Sequence, residues 1–229
     1  MTFLSSTDGG PFLLFNSTAA SPGDLAVIET RVLRPQKDQQ CLQIYYQHRG
    51  SPDDKLQIAV SHPSNSSQFK VVSNIPATNI NQWKLTQVPL SESSPFRLAL
   101  HAVAGVSAEA GGWAVDDLTL MEVSCFAHIW HIPNFTSILD KTPAGSAIYS
   151  QRFNSTEGYS FQLSMYPNGM YQNSESIGLF VHLTSGDQDE DLQWPCPWKQ
   201  ITMSVMDQHS DVRLRMSSTH SITTDPDLT

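Results

Sequence analysis

The sequence predicts an all-β protein built as two consecutive antiparallel β-sandwiches. Three observations carry this. Apolar residues recur with period two in six separate segments, the pattern of half-buried strands. Clusters of Pro, Gly, Asn, Asp and Ser punctuate those segments at short intervals. Charged residues make up only 15% of the 229, while Ser supplies 29 and Thr 16; an average soluble protein is about 25% charged. Many short strands at such spacing stack face to face, because one sheet of that extent would leave an apolar face in water.

Taken in chain order, Leu42, Ile44 and Tyr46 alternate with polar neighbours, as do Leu56, Ile58 and Val60. Phe96, Leu98, Leu100 and Ala102 form a third stripe, and Ala114, Val115, Leu118 and Leu120 close the first half. In the second half the stripes are Phe161, Leu163 and Met165, then Ile177, Leu179, Val181 and Leu183, then Ile201, Met203 and Val205. Turns are expected at Ser51-Pro52-Asp53-Asp54, Pro63-Ser64-Asn65, Pro167-Asn168-Gly169 and Ser185-Gly186-Asp187. No window of a dozen residues keeps a helical period. The best boundary falls at Ser124-Cys125-Phe126, with a new strand expected at Ile129-Trp130-His131-Ile132.

Composition excludes some functions. With 13 basic and 22 acidic residues the net charge is −9, and phosphate backbones call for clustered Lys and Arg, so no nucleic-acid partner is expected. No apolar run approaches the ~20 residues of a membrane span. The start, Met1 to Phe15, lacks a basic segment and is interrupted by Asp8-Gly9-Gly10, so it does not read as a signal peptide.

Four glycosylation sequons begin at Asn16, Asn65, Asn134 and Asn154, where roughly two are expected by chance from this Asn and Ser/Thr content. They favour an extracellular chain whose signal lies upstream. Three cysteines, Cys41, Cys125 and Cys196, leave one without an internal partner. Their spacing holds no zinc-type pair. Cys196, between Pro195 and Pro197 with Lys199 the nearest basic residue, lacks the setting of a nucleophilic thiolate.

Catalytic chemistry is not expected. The string His-Glu-x-x-His, which sets two zinc ligands one helical turn apart, is missing. His128 and His131 are three apart and would point to opposite faces of a strand. The acidic run Asp187-Gln188-Asp189-Glu190-Asp191 lacks the Gly and Glu of a calcium loop, with Leu192 and Trp198 in those places, and reads as a solvated loop. No Gly-x-Ser-x-Gly elbow or phosphate-binding glycine loop occurs. Asp116-Asp117 is more promising: on a strand one of the two faces inward, and a buried carboxylate needs a partner or a cation.

Two resemblances organise these features. Gly111-Gly112-Trp113-Ala114-Val115-Asp116-Asp117-Leu118-Thr119-Leu120, followed by Cys125, resembles the closing strand of a MAM domain, an extracellular jelly-roll sandwich. Val27 to Arg31 and Cys41 to Tyr46 are similar to that family's middle strands. Trp130-His131-Ile132-Pro133-Asn134-Phe135 resembles the opening strand of a MATH, or TRAF-like, domain. Ser150 to Phe153, Gly158 to Leu163, Met165 to Gly169 and Trp194-Pro195-Cys196-Pro197-Trp198 are similar to its later segments. This order resembles the meprins, astacin-type zinc metalloendopeptidases, nearer their beta-type subunit.

The resemblance implies residues 1–125 as the C-terminal part of a MAM domain and 126–229 as the N-terminal part of a MATH domain, each expected to be short of strands. It implies a Cys41–Cys125 disulfide and a structural cation site at Asp116 or Asp117. The function it implies is a non-catalytic interaction region serving subunit association, folding and substrate placement, with zinc only in a catalytic domain outside this chain. The implied partners are other subunits and the peptide or protein substrates of the parent protease, with membrane contact only through an anchor elsewhere. The rival is an adhesion protein that carries both modules and no protease domain; the upstream domain distinguishes the two.

Overall fold

A computed structural model of the chain describes residues 2–5, 11–65, 68–78, 80–106, 110–171, 176–196, 198–209 and 214–225. Two compact units emerge: Met1–Phe126 together with Gln208–Arg215, and Ala127–Asp207 together with Met216–Thr229.

The first unit is a two-sheet sandwich. One sheet runs β1 (Thr2–Ser5), β2 (Pro11–Asn16), β9 (Gly112–Met121), β4 (Gln40–Arg49), β7 (Ile80–Leu90) in spatial order. The other runs β3 (Leu25–Glu29), β8 (Arg97–Val103), β5 (Lys55–Ser61), β6 (Lys70–Ile75). Every pairing in both is antiparallel. The period-two pattern explains the core. Leu42, Ile44 and Tyr46 of β4 are buried on one face and meet Leu56, Ile58, Leu98 and Leu100 from the opposite sheet. Central β5 is covered on both faces: Ala59 and Ser61 are as buried as the Leu56, Ile58 and Val60 stripe.

Two devices shape β9, the strand inserted between β2 and β4. It starts at Gly112, whose φ is +138° and whose neighbours are Asn16 on β2 and Arg49 on β4. A Cβ there would lie 1.9 Å from the Phe15 carbonyl oxygen, so only glycine lets the backbones approach this closely. Further along, Gln43 and Tyr45 of β4 pair with Thr119 and Asp116. Two steps on one strand match three on the other, which is a β-bulge. Asp117 takes the left-handed conformation it requires, with φ of 46°, one that Asp tolerates better than most side chains.

The second unit centres on β12 (Ser160–Tyr166), which pairs with β10 (Ile148–Tyr149) and β11 (Phe153–Asn154) on one edge and β13 (Gly178–Thr184) on the other. β14 (Gln200–Val205) and β15 (Ser218–Thr223) form a two-stranded ribbon. Tyr159, Phe161 and Cys196 are buried among Phe153, Val181, Leu183, Leu192 and Ile201. The turn at Pro167-Asn168-Gly169 is fixed by Asn168 Nδ2, which donates to the carbonyls of Leu139 (2.7 Å) and Thr142 (2.6 Å).

Three local expectations are corrected. Residues 129–132 are not a strand. Pro133 has no N–H for a ladder, and Asn134, at φ 51°, turns the chain into the helix α1 (Phe135–Lys141), which is too short to show a dozen-residue period. The Ile177 stripe also enters the core late, since Ile177 is 48% exposed while Val181 and Leu183 pack inward. Val205, 46% exposed, leaves its stripe altogether.

Candidate functional site

The bulge on β9 lies beside a cleft of about 380 Å³ that opens into the first unit's core. Leu13, Ile28, Leu100 and Val115 line it, with Phe12 and the carboxylates Glu29, Asp116 and Asp117. Strict alternation would have turned one of the two aspartates inward. The extra residue of the bulge rotates the backbone instead, and both are half-buried.

Their surroundings differ. Asp117 Oδ2 accepts from Arg215 Nη2 at 2.8 Å, and both side chains are about 15% exposed. The Arg215 guanidinium also lies 4.8 Å from the centre of the Tyr45 ring, a cation–π distance. Burial raises the Tyr45 phenol above its ordinary pKa, with Arg215 pulling it back down and Asp117 pushing it up. Asp116 Oδ1 accepts the Asp117 N–H at 2.9 Å. Burial raises the Asp116 carboxyl; the Asp117 N–H and, at longer range, Arg215 oppose that shift, while the Asp117 charge adds to it.

Arg215 occupies the Asp117 carboxylate, and among the described residues no three His, Cys, Asp or Glu side chains gather into a metal-binding group.

A second polar cluster lies inside the sandwich. His48 Nε2 donates to Asp54 Oδ2 at 3.3 Å, with the side chains 0% and 1% exposed. Asp54 also accepts from the Gly105 N–H (2.7 Å) and from Ser17 Oγ (3.2 Å). His48 packs on Trp113 at 4.3 Å between ring centres, and among the described residues its buried Nδ1 has no hydrogen-bond partner. One carboxylate thus ties together β4, the turn after it, the segment after β2 and the loop after β8. Sequence reasoning passed over this cluster, although His48 continues the inward stripe of Leu42, Ile44 and Tyr46 in register. Arg215 carried no comparable signal, since only the tertiary structure brings it to the bulge.

Cys41 and Cys125 form a disulfide. Cys196 is a buried free thiol beside Tyr159, whose hydroxyl donates to the Gln193 carbonyl at 2.8 Å. Asn16, Asn65, Asn134 and Asn154 are all exposed. His128 stacks on Phe153 at 4.2 Å, and burial, with His131 nearby, lowers its pKa. No helix among the described residues is long and apolar enough to cross a membrane.

Comparison with known proteins matches the MAM domain family (meprin/A5/mu) to residues 2–126 and the MATH domain to residues 127–229. Meprin A subunit beta of Mus musculus is 39% identical over 225 residues, covering 97% of this chain and 31% of that protein. Meprin A subunit beta of Homo sapiens is 40% identical over 223 residues, covering 96% and 31%. Meprin A subunit alpha of Mus musculus is 37% identical over 220 residues, covering 94% and 30%. The chain thus spans under a third of the length of the curated relatives it matches.

Proposed function

Because this chain belongs to the MAM domain family, we propose that it is the non-catalytic interaction region of a meprin-like extracellular zinc metalloendopeptidase. In this reading residues 1–125 are the MAM part and 126–229 the MATH part. The region associates subunits, supports their folding and helps place substrate. The observation that carries the proposal is the near end-to-end match to meprin subunits, 97% of this chain at 39% identity, with the MAM family matched to residues 2–126 and the MATH domain to residues 127–229. The fold is consistent with it. Sandwiches present broad sheet faces and edges, and protein partners recognise such surfaces by strand pairing and packing.

The extracellular assignment is part of the proposal, supported by the disulfide in a class of compartment where such bonds persist and by the exposure of all four sequon asparagines.

The test is secretion of the full 229-residue chain from animal cells behind an added signal peptide. The product should co-purify with a differently tagged second copy or with a meprin beta subunit, and N-glycosidase should lower its mass. It should show no chelator-sensitive peptide cleavage. Sedimentation as a monomer at micromolar concentration, with no meprin subunit bound, would overturn the association role. Zinc-dependent cleavage by the purified chain would overturn the non-catalytic one.

A further inference from the structure

We propose that the outer face of the sheet β10–β12–β13 binds a neutral oligosaccharide. Strand alternation fixes which residues reach that face. Phe161, Val181 and Leu183 point into the core of the second unit. Their neighbours point away from it: Tyr149 on β10, Gln162, Ser164 and Tyr166 on β12, and Phe180 and His182 on β13. Ser164 pairs with Tyr149 on one side and with Phe180 on the other. Two rings thus flank a small residue, and the face forms a shallow trough. Tyr149 is 59% exposed and Phe180 39%, although aromatic side chains are mostly covered in folded chains.

Both walls are braced. The Phe180 ring meets Tyr166 edge to face at 5.6 Å, and the Tyr149 ring lies 6.5 Å from His182. Ser164 Oγ and His182 Nε2 share a hydrogen bond of 2.7 Å across the strands.

The chemistry of the face selects its guest. None of the residues that β10, β12 and β13 turn outward is Asp, Glu, Lys or Arg, so the face offers no fixed charge to an ionic partner. A sugar ring brings apolar C–H faces for the aromatic walls and hydroxyls that both donate and accept. Gln162 Nε2 donates to the Ser150 carbonyl at 2.9 Å, which leaves Oε1 as an acceptor. A hydroxyl can donate to it. A proline-rich peptide, another guest of aromatic troughs, has no N–H at its prolines. The inference does not depend on the interaction role proposed above.

The full chain, ¹⁵N-labelled, is titrated with lacto-N-neotetraose, cellotetraose, a sulfated heparin tetrasaccharide and hexaproline, and followed by NMR. At least one neutral tetrasaccharide should give saturable shifts at Leu163–Met165 and Gly178–His182. The sulfated sugar and hexaproline should give none there. Tyr149→Ala and Phe180→Ala replace exposed side chains, so each is expected to fold, and either decides the matter if the other does not. Each should weaken sugar binding about fivefold or more, the scale of one aromatic contact. Tyr149→Phe keeps the ring and should bind within about twofold of the parent chain.

Four results would overturn the proposal. Neither neutral sugar shifts these residues. Hexaproline or the sulfated sugar binds there as tightly. Sugar binding is indifferent to both alanine substitutions. The same residues shift with protein concentration alone, which would make a second copy of the chain the occupant.

Discussion

Asp54 serves four elements with one carboxylate, and few positions in the chain should tolerate change less. Asp54→Ala removes the acceptor for His48, Ser17 and the Gly105 N–H, leaving a buried imidazole and a buried amide unpaired. The expected loss is about 3–5 kcal/mol, as when a buried pair is broken by deleting one partner. Asp54→Asn keeps an oxygen acceptor and should lose less. Urea unfolding of the three proteins would show that order; equal midpoints would contradict it. Asp116 should behave in the opposite way. Burial raises its carboxyl pKa in the folded chain, so the folded state holds its proton to higher pH than the unfolded state does. Its contribution to stability is therefore best below the unfolded value of about 3.9 and falls as pH rises through the folded one. Asp116→Asn should raise the melting temperature at pH 7, with the gain disappearing near pH 3. A destabilised variant at pH 7 would show that the Asp117 N–H and the Arg215 charge outweigh burial at Asp116.

Strand β9 shows how much an element can reveal in its sequence and where that stops. The alternation of Leu42, Ile44 and Tyr46, and of Phe96 through Ala102, placed the buried faces of β4 and β8 correctly because both lie in sheets with one face on the core. The same rule failed at Asp116-Asp117. A bulge adds one residue without any mark in the apolar pattern, and period two is lost beyond it. It failed again at Ile129–Ile132, where a short apolar run before Pro133 reads as a strand but does not form one. Gly111-Gly112, noted in the sequence only as part of a motif, has a backbone reason. Gly112→Ala must place a methyl group against the Phe15 carbonyl at a φ of +138°, combining a steric clash with a disfavoured conformation. The expected loss exceeds about 3 kcal/mol, enough to reduce secreted yield sharply. Gly23→Ala is the informative contrast. Gly23 also has positive φ, at 86°, but nothing lies within 4 Å of an added Cβ, so its loss should stay near 1–2 kcal/mol. Comparable losses at the two positions would show that backbone conformation, not close approach, dominates.

At the scale of the molecule, the all-β fold class was legible because turn clusters and apolar stripes repeat throughout. The recruitment of residues 208–215 to the first unit was not, since a single Arg finding an Asp and a Tyr ring leaves no periodic trace. The disulfide has a mechanical consequence. Cys125 follows β9 and its partner Cys41 sits within β4, a strand hydrogen-bonded to neighbours on both sides. Tension applied to the chain beyond residue 125 passes through the sulfur bridge into the start of β4, an interior strand, so it does not unzip β9 from its end. The 84-residue separation between the two cysteines corresponds to roughly 280 Å of extended backbone at about 3.4 Å per residue, and that length is withheld from the load while the bridge is intact. In single-molecule stretching, the first unit should therefore lengthen by that much less in oxidising than in reducing buffer. Equal extensions in the two would show that the bridge bears no force. With the bridge intact only the chain outside residues 41–125 lengthens under load, and reduction releases the length held between them.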